Sequence, residues 1–305
     1  MNDTVPSVTS QGFPARFIPH GEPEIRNYNS GLCLKNGDRF IATRRFDPER
    51  WRSEIMVKQL GDCVYKRRTL DLPRAHGRES HEDARLFWHG GKLHCAYTEG
   101  QYWMRPWVAV QKVAVLRDDW SVEQVHTIGF GENSIGQEKN WQFFSHEGQL
   151  HFVYSIRPHV VVEMDDQFRP TKTHTTPTDA PENLRGGTPP VRVGDYYVTF
   201  PHFHVAHKER SRRYGFSSLI FEAKPPFNIA FVSDPLIHAS ANDPTIPNLA
   251  YPHWNPIVVF PCGALYQEDG VWSVSAGIND SFDAIFEIPA HATTRRVPES
   301  PPEAL

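Results

Sequence analysis

The short segment Glu82-Asp83-Ala84-Arg85 carries the residue types from which catalytic chemistry could be expected. It begins a stretch of alternating apolar residues, which is followed by a turn at Gly90-Gly91 and a second alternating stretch that ends at Glu99. Two glycines between alternating stretches predict a β-hairpin, and a hairpin brings its two ends together. The acidic and basic groups should therefore share one sheet edge. There, Asp83 could act as a general acid if burial raised its pKa.

A second interpretation of Asp83 is structural. Its carboxylate could cap the start of the strand and pair with Arg85, two residues further along the chain. The positive charge of Arg85 would then lower the pKa of Asp83, whereas burial beside Glu82 would raise it. The sequence leaves both interpretations open.

The pattern of a glycine turn, an alternating strand and a polar end occurs five times along the chain, at irregular spacing. Repeated strand units with variable loops are typical of β-propellers. The predicted fold class is therefore all-β, a five-bladed β-propeller, and a two-sheet β-sandwich is the alternative. The glycines at corresponding positions are Gly37, Gly91, Gly148, Gly194 and Gly270.

Length and composition limit the classes of protein that need to be considered. The 305 residues suffice for one closed domain, and we predict an extended segment over 1–16, a catalytic propeller over 17–288 and a flexible tail over 289–305. A formal charge of -4 argues against a nucleic-acid partner. Without a secretory signal or an apolar run of membrane-spanning length, the sequence predicts a cytoplasmic protein without a membrane partner. Whether the protein is a homo-oligomer is left open.

In a propeller, the polar ends of the five units would converge on one central pocket. Carboxylates and amides bind sugar hydroxyls, aromatic rings stack on sugar rings, and clustered basic groups bind phosphate. The pocket therefore predicts a polyhydroxylated ligand together with an anion, and a solvated polar rim without function is the alternative. The basic sector consists of Lys139, Arg157, Arg185 and His202. The residues predicted to bind the sugar are Arg44, Glu82, Asn140, Trp141 and Asp280.

A weaker candidate site is the pattern His202-x-His204-x-x-His207, whose spacing resembles that of metal ligands. No acidic or cysteine residue lies nearby in the sequence in a matching pattern, so we predict that no metal is bound. The sequence contains no G-x-S-x-G motif, the nucleophile elbow of α/β-hydrolases, and no phosphate-binding P-loop motif. It therefore does not support an α/β-hydrolase fold or a P-loop nucleotide-binding fold.

Taken in order, these motifs resemble those of glycoside hydrolase family 130, five-bladed propellers that act on β-mannosides and include many phosphorylases. The chain departs from that pattern at Ala84, Asn140 and Ile156, where the family has proline, aspartate and histidine. The resemblance rests on Glu82-Asp83-Ala84-Arg85, Lys139-Asn140, Arg157-Pro158, Gly187-Thr188-Pro189-Pro190 with His202 and Tyr214 following, the segment from Val258 to Ala264, and Gly277-Ile278-Asn279-Asp280.

The resemblance implies inverting phosphorolysis of β-mannosides, with Asp83 as the general acid and Asp280 binding the sugar on the cleaved side. Inorganic phosphate would be a co-substrate, with no further cofactor, and a mannoside or oligosaccharide would be the partner. A mannosyltransferase with a nucleotide-sugar donor, a glycoside hydrolase and a non-catalytic glycan-binding propeller are the alternatives. Phosphate would be held by Lys139, Arg157, Arg185, His202 and Tyr214.

Overall fold

The computed structural model describes residues 13–18, 26–61, 67–104, 106–130, 138–207, 211–238 and 258–294. In these residues the chain forms 24 strands and one helix of four residues, and the strands make six four-stranded sheets, here called A to F. The predicted all-β class is confirmed, and six small sheets exclude the two-sheet sandwich. No helix in this part of the chain is long and apolar enough to cross a membrane.

Sheets A, B and C are each built from four consecutive antiparallel strands. Sheet A contains β2 (Arg26–Lys35), β3 (Asp38–Asp47), β4 (Arg52–Leu60) and β5 (Arg67–Thr69). Sheet B contains β6 (Ser80–His89), β7 (Lys92–Gln101), β8 (Val108–Leu116) and β9 (Val122–Thr127). Sheet C contains β10 (Gln142–His146), β11 (Gln149–Ser155), β12 (His159–Met164) and β13 (Pro170–Thr176).

Between residues 184 and 238 the chain runs back and forth four times, and each of these four passes is interrupted near its middle. One half of each pass belongs to sheet D and the other half to sheet E. Pro189 and Pro190 interrupt the first pass, since proline has no N–H to donate to a ladder. Phe200 alone separates the two halves of the second pass. Sheet D has the order β14 (Leu184–Gly187), β17 (Pro201–His207), β18 (Ser211–Phe216), β21 (Ile237–His238). Sheet E has the order β15 (Val191–Val193), β16 (Tyr196–Thr199), β19 (Leu219–Glu222), β20 (Ile229–Val232).

Sheet F joins the two ends of the described chain. Its order is β1 (Ala15–Ile18), β24 (Phe282–Pro289), β23 (Val271–Ile278), β22 (Val259–Tyr266), and α1 (Ala290–Thr293) follows. The regular structure is longer at both ends than the predicted propeller over 17–288. It begins with β1 at Ala15, which pairs with β24, and it continues into α1 after Pro289. Residues 1–12 and 295–305 of the predicted terminal segments lie outside the described residues.

The five glycines of the sequence repeat all lie in turns, at the tip of the hairpins β2–β3, β6–β7, β10–β11, β15–β16 and β22–β23. Each has a positive φ, between 57° and 81°, which glycine adopts without a steric penalty. The prediction of five glycine-turn hairpins is therefore confirmed.

The apolar core lies between neighbouring sheets rather than at one centre. Among the described residues, one cluster joins sheets A and B through side chains such as Ile55 and Leu86, and another joins B and C through Phe87 and Phe152. A third cluster joins sheet C to sheet E. A fourth joins both sheet D and sheet E to sheet F, and a fifth joins sheet F to sheet A. Sheet packing thus continues from A to F and back to A. The first strand of sheet B, β6, contacts β2, β10 and β22, and β14 contacts β22. Of the predicted site residues, β6 carries Glu82 and Asp83, and β14 carries Arg185.

Four histidines buried in this framework predict acid sensitivity. Desolvation lowers the pKa of His81 and His202 to about 3 and that of His94 and His159 to about 4, from an ordinary value of 6.5. They are therefore neutral in the folded protein at pH 7. As the pH falls below 6.5, only the unfolded chain takes up these protons, so stability is lost progressively down to pH 3–4. Each histidine could cost at most about 2 kcal/mol at pH 5.

Urea unfolding at pH 7.5 and pH 5 should show this loss as a lower midpoint at pH 5. His159→Gln should reduce the difference between the two midpoints. His291→Gln, which alters an exposed side chain of α1, should leave it unchanged. Equal midpoints at both pH values would contradict the prediction.

Candidate active site

Asp83 lies at an irregularity of β6 that turns its side chain out of the regular alternation. The register between β6 and β7 shifts between Glu82 and Arg85, and Asp83 has a φ of 54°. In the neighbouring strand β2, Asn29 has a φ of 56° at a similar register shift. Asn29 Nδ2 donates a hydrogen bond of 2.7 Å to Asp83 Oδ1. Paired β-bulges thus aim the amide and the carboxylate at each other.

Glu82 is the second buried carboxylate of the site, and it accepts hydrogen bonds from Arg44 and Tyr102. Arg44 Nη2 donates to Glu82 Oε1 at 2.7 Å, and Arg44 Nε donates to Ser53 Oγ at 2.8 Å. The Tyr102 hydroxyl also donates to Glu82, and burial together with this charge raises the pKa of Tyr102. Two donors from different elements, β3 and the loop after β7, therefore fix the position of Glu82.

Arg85 is fully buried and connects three parts of the site. Its Nη1 donates to the main-chain carbonyl of Asp83 at 2.7 Å, Nε donates to Gly187 O at 2.6 Å, and Nη2 donates to Asn140 Oδ1 at 3.1 Å. The predicted structural pairing of Asp83 with Arg85 is therefore wrong in one respect: Arg85 bonds the backbone of Asp83, while Asn29 bonds its carboxylate. Arg85 fixes strands β6 and β14 and residue Asn140 relative to one another.

The pKa of Asp83 is lower than its ordinary value. Desolvation alone would raise it, but the positive charges of Lys139, Arg44 and Arg85 together outweigh desolvation. Asp83 is therefore a carboxylate in the free protein at neutral pH, contrary to the raised pKa expected of a general acid. The cations that surround it determine whether it can hold a proton.

Asp280 shows the opposite behaviour. Its pKa is raised to about 6, mainly by desolvation. Asp83 and Glu82 add to this rise, and Arg44 and Lys139 oppose it. These charges act on both aspartates, which places Asp280 in the same electrostatic environment as the acidic pair. The predicted convergence of the acidic residues on one site is therefore supported by their mutual influence.

Beside this acidic group lies a cavity of about 510 Å³ between β10, β11 and β14. Three of the four residues of the predicted basic sector line it, namely Lys139, Arg157 and Arg185. Arg157 Nη1 donates to Ala180 O at 3.0 Å, and Arg185 Nη1 donates to Glu182 O at 2.7 Å. Main-chain carbonyls thus hold both guanidinium groups at the cavity, where they can meet an anion.

His202 contributes differently from the prediction. Desolvation lowers its pKa to about 3, so the ring is neutral and adds no charge to the basic sector. Its Nδ1 lies 2.6 Å from Gly186 O, a pure acceptor, so Nδ1 carries the proton and Nε2 is left as an acceptor. Tyr214 stacks on His202 at 6.0 Å between ring centroids. Both lie next to the cavity wall at Gly186 rather than in the cavity lining.

Trp141 and Ile156 border the cavity but are largely buried. The Trp141 ring stacks on Phe152 at 4.7 Å and is 2% exposed, so little of its face is open to a sugar. Ile156 is 3% exposed and packs in the core between sheets C and E. That Trp141 binds a sugar stays a prediction, which the burial of its ring disfavours.

The loop from 101 to 107 between β7 and β8 was not predicted to belong to the site. Tyr102 reaches Glu82, and the Lys139 ammonium lies 6.0 Å from the Trp107 ring centre. Trp103 lies between them in the sequence and is exposed. The density of aromatic residues in Gln101-Tyr102-Trp103-Met104-Arg105-Pro106-Trp107, directly after the strand that follows Asp83, was the available signal.

Among the described residues, no group of three or more histidine, cysteine, aspartate or glutamate side chains is placed to hold a metal ion. The side chain of His207 in the pattern His202-x-His204-x-x-His207 lies outside the described residues. The histidine spacing in the sequence is therefore the only support for a metal site at this pattern.

Comparison with solved structures shows which fold this site occupies. A mannose phosphorylase from Leishmania mexicana, in complex with a phosphate ion, matches with a TM-score of 0.61 at 14% identity over 90% of this chain and 89% of that chain. A β-1,2-mannobiose phosphorylase from Listeria innocua matches with 0.61 at 12% identity over 92% and 96%. The chain has a glycoside hydrolase family 130-like fold. The predicted resemblance is thereby confirmed at the level of the fold.

A GDP-Man-dependent mannosyltransferase from Leishmania mexicana is also similar, with a TM-score of 0.64 at 14% identity over 95% of this chain and 94% of that chain. No protein-family model matches the chain, and no curated protein matches it by sequence. At these identities the likeness shows the fold alone.

Proposed function

We propose that the protein is a carbohydrate-active enzyme that cleaves β-mannosides by inverting phosphorolysis, with Asp83 as the general acid. One observation carries the proposal: a buried carboxylate, hydrogen-bonded by Asn29, adjoins a cavity of about 510 Å³ lined by Lys139, Arg157 and Arg185. The similar mannoside phosphorylases support the mannoside as the substrate class. Phosphate is itself an anionic nucleophile, so the reaction needs an acid but no second carboxylate as base.

The proposal includes a five-bladed propeller. Sheets D and E have the same strand order and share all four passes of the chain, so we assign them to one blade with a transverse break at Phe200. Sheets A, B, C and F supply the other four blades. The described residues form six core clusters, and five of them lie one at each of the five proposed blade interfaces. The sixth, of Val258, Phe260 and Cys262 with Tyr214 against it, lies between sheets F and D and so belongs to an interface already counted.

Phosphate at the cavity would change the protonation of Asp83. In the free protein, Lys139 is the strongest of the charges that lower the pKa of Asp83. The negative charge of a bound phosphate would offset part of the positive charge of Lys139, and this raises the pKa of the neighbouring Asp83 carboxyl group. Asp83 would therefore take up a proton as phosphate binds, before that proton is transferred to the leaving oxygen.

The chemical step then balances without a further reactant. A phosphate oxygen attacks the anomeric carbon as the glycosidic C–O bond breaks, and the leaving oxygen receives the proton of Asp83, by the family resemblance through a sugar hydroxyl. Mannose 1-phosphate and the shortened sugar are the products. In the reverse direction the Asp83 carboxylate accepts the proton from the acceptor hydroxyl, in agreement with its lowered pKa in the free protein.

Incubation with β-1,2-mannobiose and inorganic phosphate should produce mannose 1-phosphate, detected by phosphorus NMR. Arg157→Ala should raise the KM for phosphate about 10- to 100-fold, because a charged hydrogen bond to the anion is lost. Arg169→Ala removes an exposed arginine of the β12–β13 turn, paired with Asp165, and should leave this KM unchanged. Mannose release without phosphate would instead show a hydrolase, and no mannose 1-phosphate in either direction would refute phosphorolysis.

A mannosyltransferase with a nucleotide-sugar donor is the second candidate. The cavity volume of about 510 Å³ exceeds what one phosphate ion needs and could receive a diphosphate. Ile156, packed in the core, also stands where the family has a histidine in the presumed phosphate sector. Release of GDP from GDP-mannose in the presence of acceptor sugars, without turnover of mannose 1-phosphate, would favour this candidate over phosphorolysis.

A further inference from the structure

The loop from 101 to 107 reaches the candidate site through Tyr102 and also carries exposed apolar side chains. Trp103 is 37% exposed and Met104 is 42% exposed, whereas large apolar side chains elsewhere in the described chain are mostly buried. Met104 N donates to Gln101 O at 3.2 Å, which closes the loop into a tight turn. The turn therefore projects Trp103 from the end of β7.

The same loop is attached to the chemistry of the site at both ends. Tyr102 donates to Glu82, and Trp107 lies against the Lys139 ammonium and 5.7 Å from the Tyr102 ring. Gly100 allows this arrangement, because a Cβ there would lie 2.8 Å from the Tyr102 ring. Trp103 thus directly follows a residue that is hydrogen-bonded to Glu82 of the acidic pair.

A second exposed indole lies at the neighbouring sheet. Trp51, in the turn between β3 and β4, is 59% exposed and packs edge-to-face on Phe46 at 5.4 Å. The guanidinium of Arg44 lies 6.0 Å from the Phe46 ring and bonds Glu82. Glu82 is therefore connected to one exposed tryptophan through Tyr102 and to the other through Arg44 and Phe46.

Trp103 contacts the segment that connects sheets A and B. Its ring lies edge-on to His76 at 6.1 Å, and Arg52 of β4 donates to Gly77 O of the same segment at 3.5 Å. The cavity lined by Lys139, Arg157 and Arg185 lies instead between sheets C and D. The contacts of these two exposed tryptophans therefore lie on elements of sheet A and on the segment that follows it, whereas the cavity lies between sheets C and D.

We propose that Trp103 and Trp51 form an aromatic platform that binds additional sugar rings of an oligosaccharide, beyond the sugars at Asp83. Indole faces pack on the apolar faces of sugar rings, and the polar groups of His76 and Arg52 beside them can bond the hydroxyls. In an inverting displacement the leaving group departs from the side opposite the nucleophile. With phosphate in the cavity, the leaving sugar chain extends toward the platform. The inference rests on the proposed function.

Binding of β-1,2-linked mannooligosaccharides of two to five units, followed by tryptophan fluorescence and calorimetry without phosphate, tests the platform. The affinity of the unaltered protein should rise with chain length. Trp103→Ala should weaken binding of the pentasaccharide about 2- to 10-fold relative to the disaccharide, and Trp51→Ala should act in the same direction. Trp88→Ala, which removes a 42% exposed indole at the far end of sheet B, should change neither affinity.

The outcomes separate this inference from the proposed function. If mannobiose is phosphorolysed but affinity is independent of chain length, or if Trp103→Ala weakens the disaccharide and the pentasaccharide equally, the platform is refuted and the function stands. If no phosphorolysis occurs but the length-dependent gain is present and is lost in Trp103→Ala, the platform stands and phosphorolysis is refuted.

Discussion

Asp83→Asn is expected to reduce mannobiose phosphorolysis by about 10²- to 10⁴-fold, the usual contribution of a general acid. Asparagine retains an oxygen that can accept the 2.7 Å hydrogen bond from Asn29, and it tolerates the positive φ of 54° at this position. The variant therefore removes the transferable proton with little effect on the backbone. Initial rates of mannose 1-phosphate formation measure the loss.

Two controls separate a chemical effect from a structural one. Asp83→Asn should bind mannobiose with nearly unchanged affinity and unfold at a similar temperature, and Asp165→Asn, on the exposed β12–β13 turn, should retain full activity. Unchanged turnover in Asp83→Asn would show that another group supplies the proton. Asp280, whose pKa is raised to about 6, would then be the carboxyl group to replace next.

Arg85→Met is expected to lower the free energy of unfolding by about 3–5 kcal/mol, because two buried acceptors and one partly buried acceptor lose the donor that Arg85 supplies. These are the carbonyl oxygens of Asp83 and Gly187 and the Oδ1 of Asn140. The methionine removes a cation that lowers the pKa of Asp83, so that pKa should also rise. Urea unfolding measures the first effect, and the pH dependence of kcat/KM measures the second.

Arg85→Lys is the matched variant for this prediction. It keeps the positive charge but cannot reach all three acceptors, so it should lose stability while the pH dependence stays close to that of the unaltered protein. If both variants shift the pH dependence equally, the charge of Arg85 does not control Asp83. If Arg85→Met is as stable as the unaltered protein, the three hydrogen bonds do not hold the strands together.

The sequence was sufficient to predict those features that depend on local pattern. Glycine turns between alternating strands gave the hairpins, since glycine adopts the positive φ that these turns require. The repeat also placed Arg44, Glu82, Asp83 and Asp280 in one electrostatic environment, because strand ends at the same sheet edge lie close together. The alternation of residues determines which side chains face a neighbouring sheet.

Features that depend on neighbours distant in the sequence could not be predicted. The charge of His202 depends on its desolvation, which no motif encodes, and the burial of Trp141 depends on Phe152 of the adjacent strand. The bulges at Asn29 and Asp83 likewise interrupt alternation in two strands that are far apart in the chain. The role of Arg85 likewise depends on Gly187 and Asn140, which are more than 50 residues away in the sequence.

The pairing of β1 with β24 has a consequence for the synthesis of the protein. The first described strand leaves the ribosome long before its partner exists, whereas sheets A, B and C can each form as soon as their own four consecutive strands have emerged. Until β24 has been synthesised, β1 lacks its only described sheet neighbour, and an unpaired strand is prone to join other chains. We therefore expect sheet F to form after sheets A, B and C, and its formation to remove this exposed strand edge.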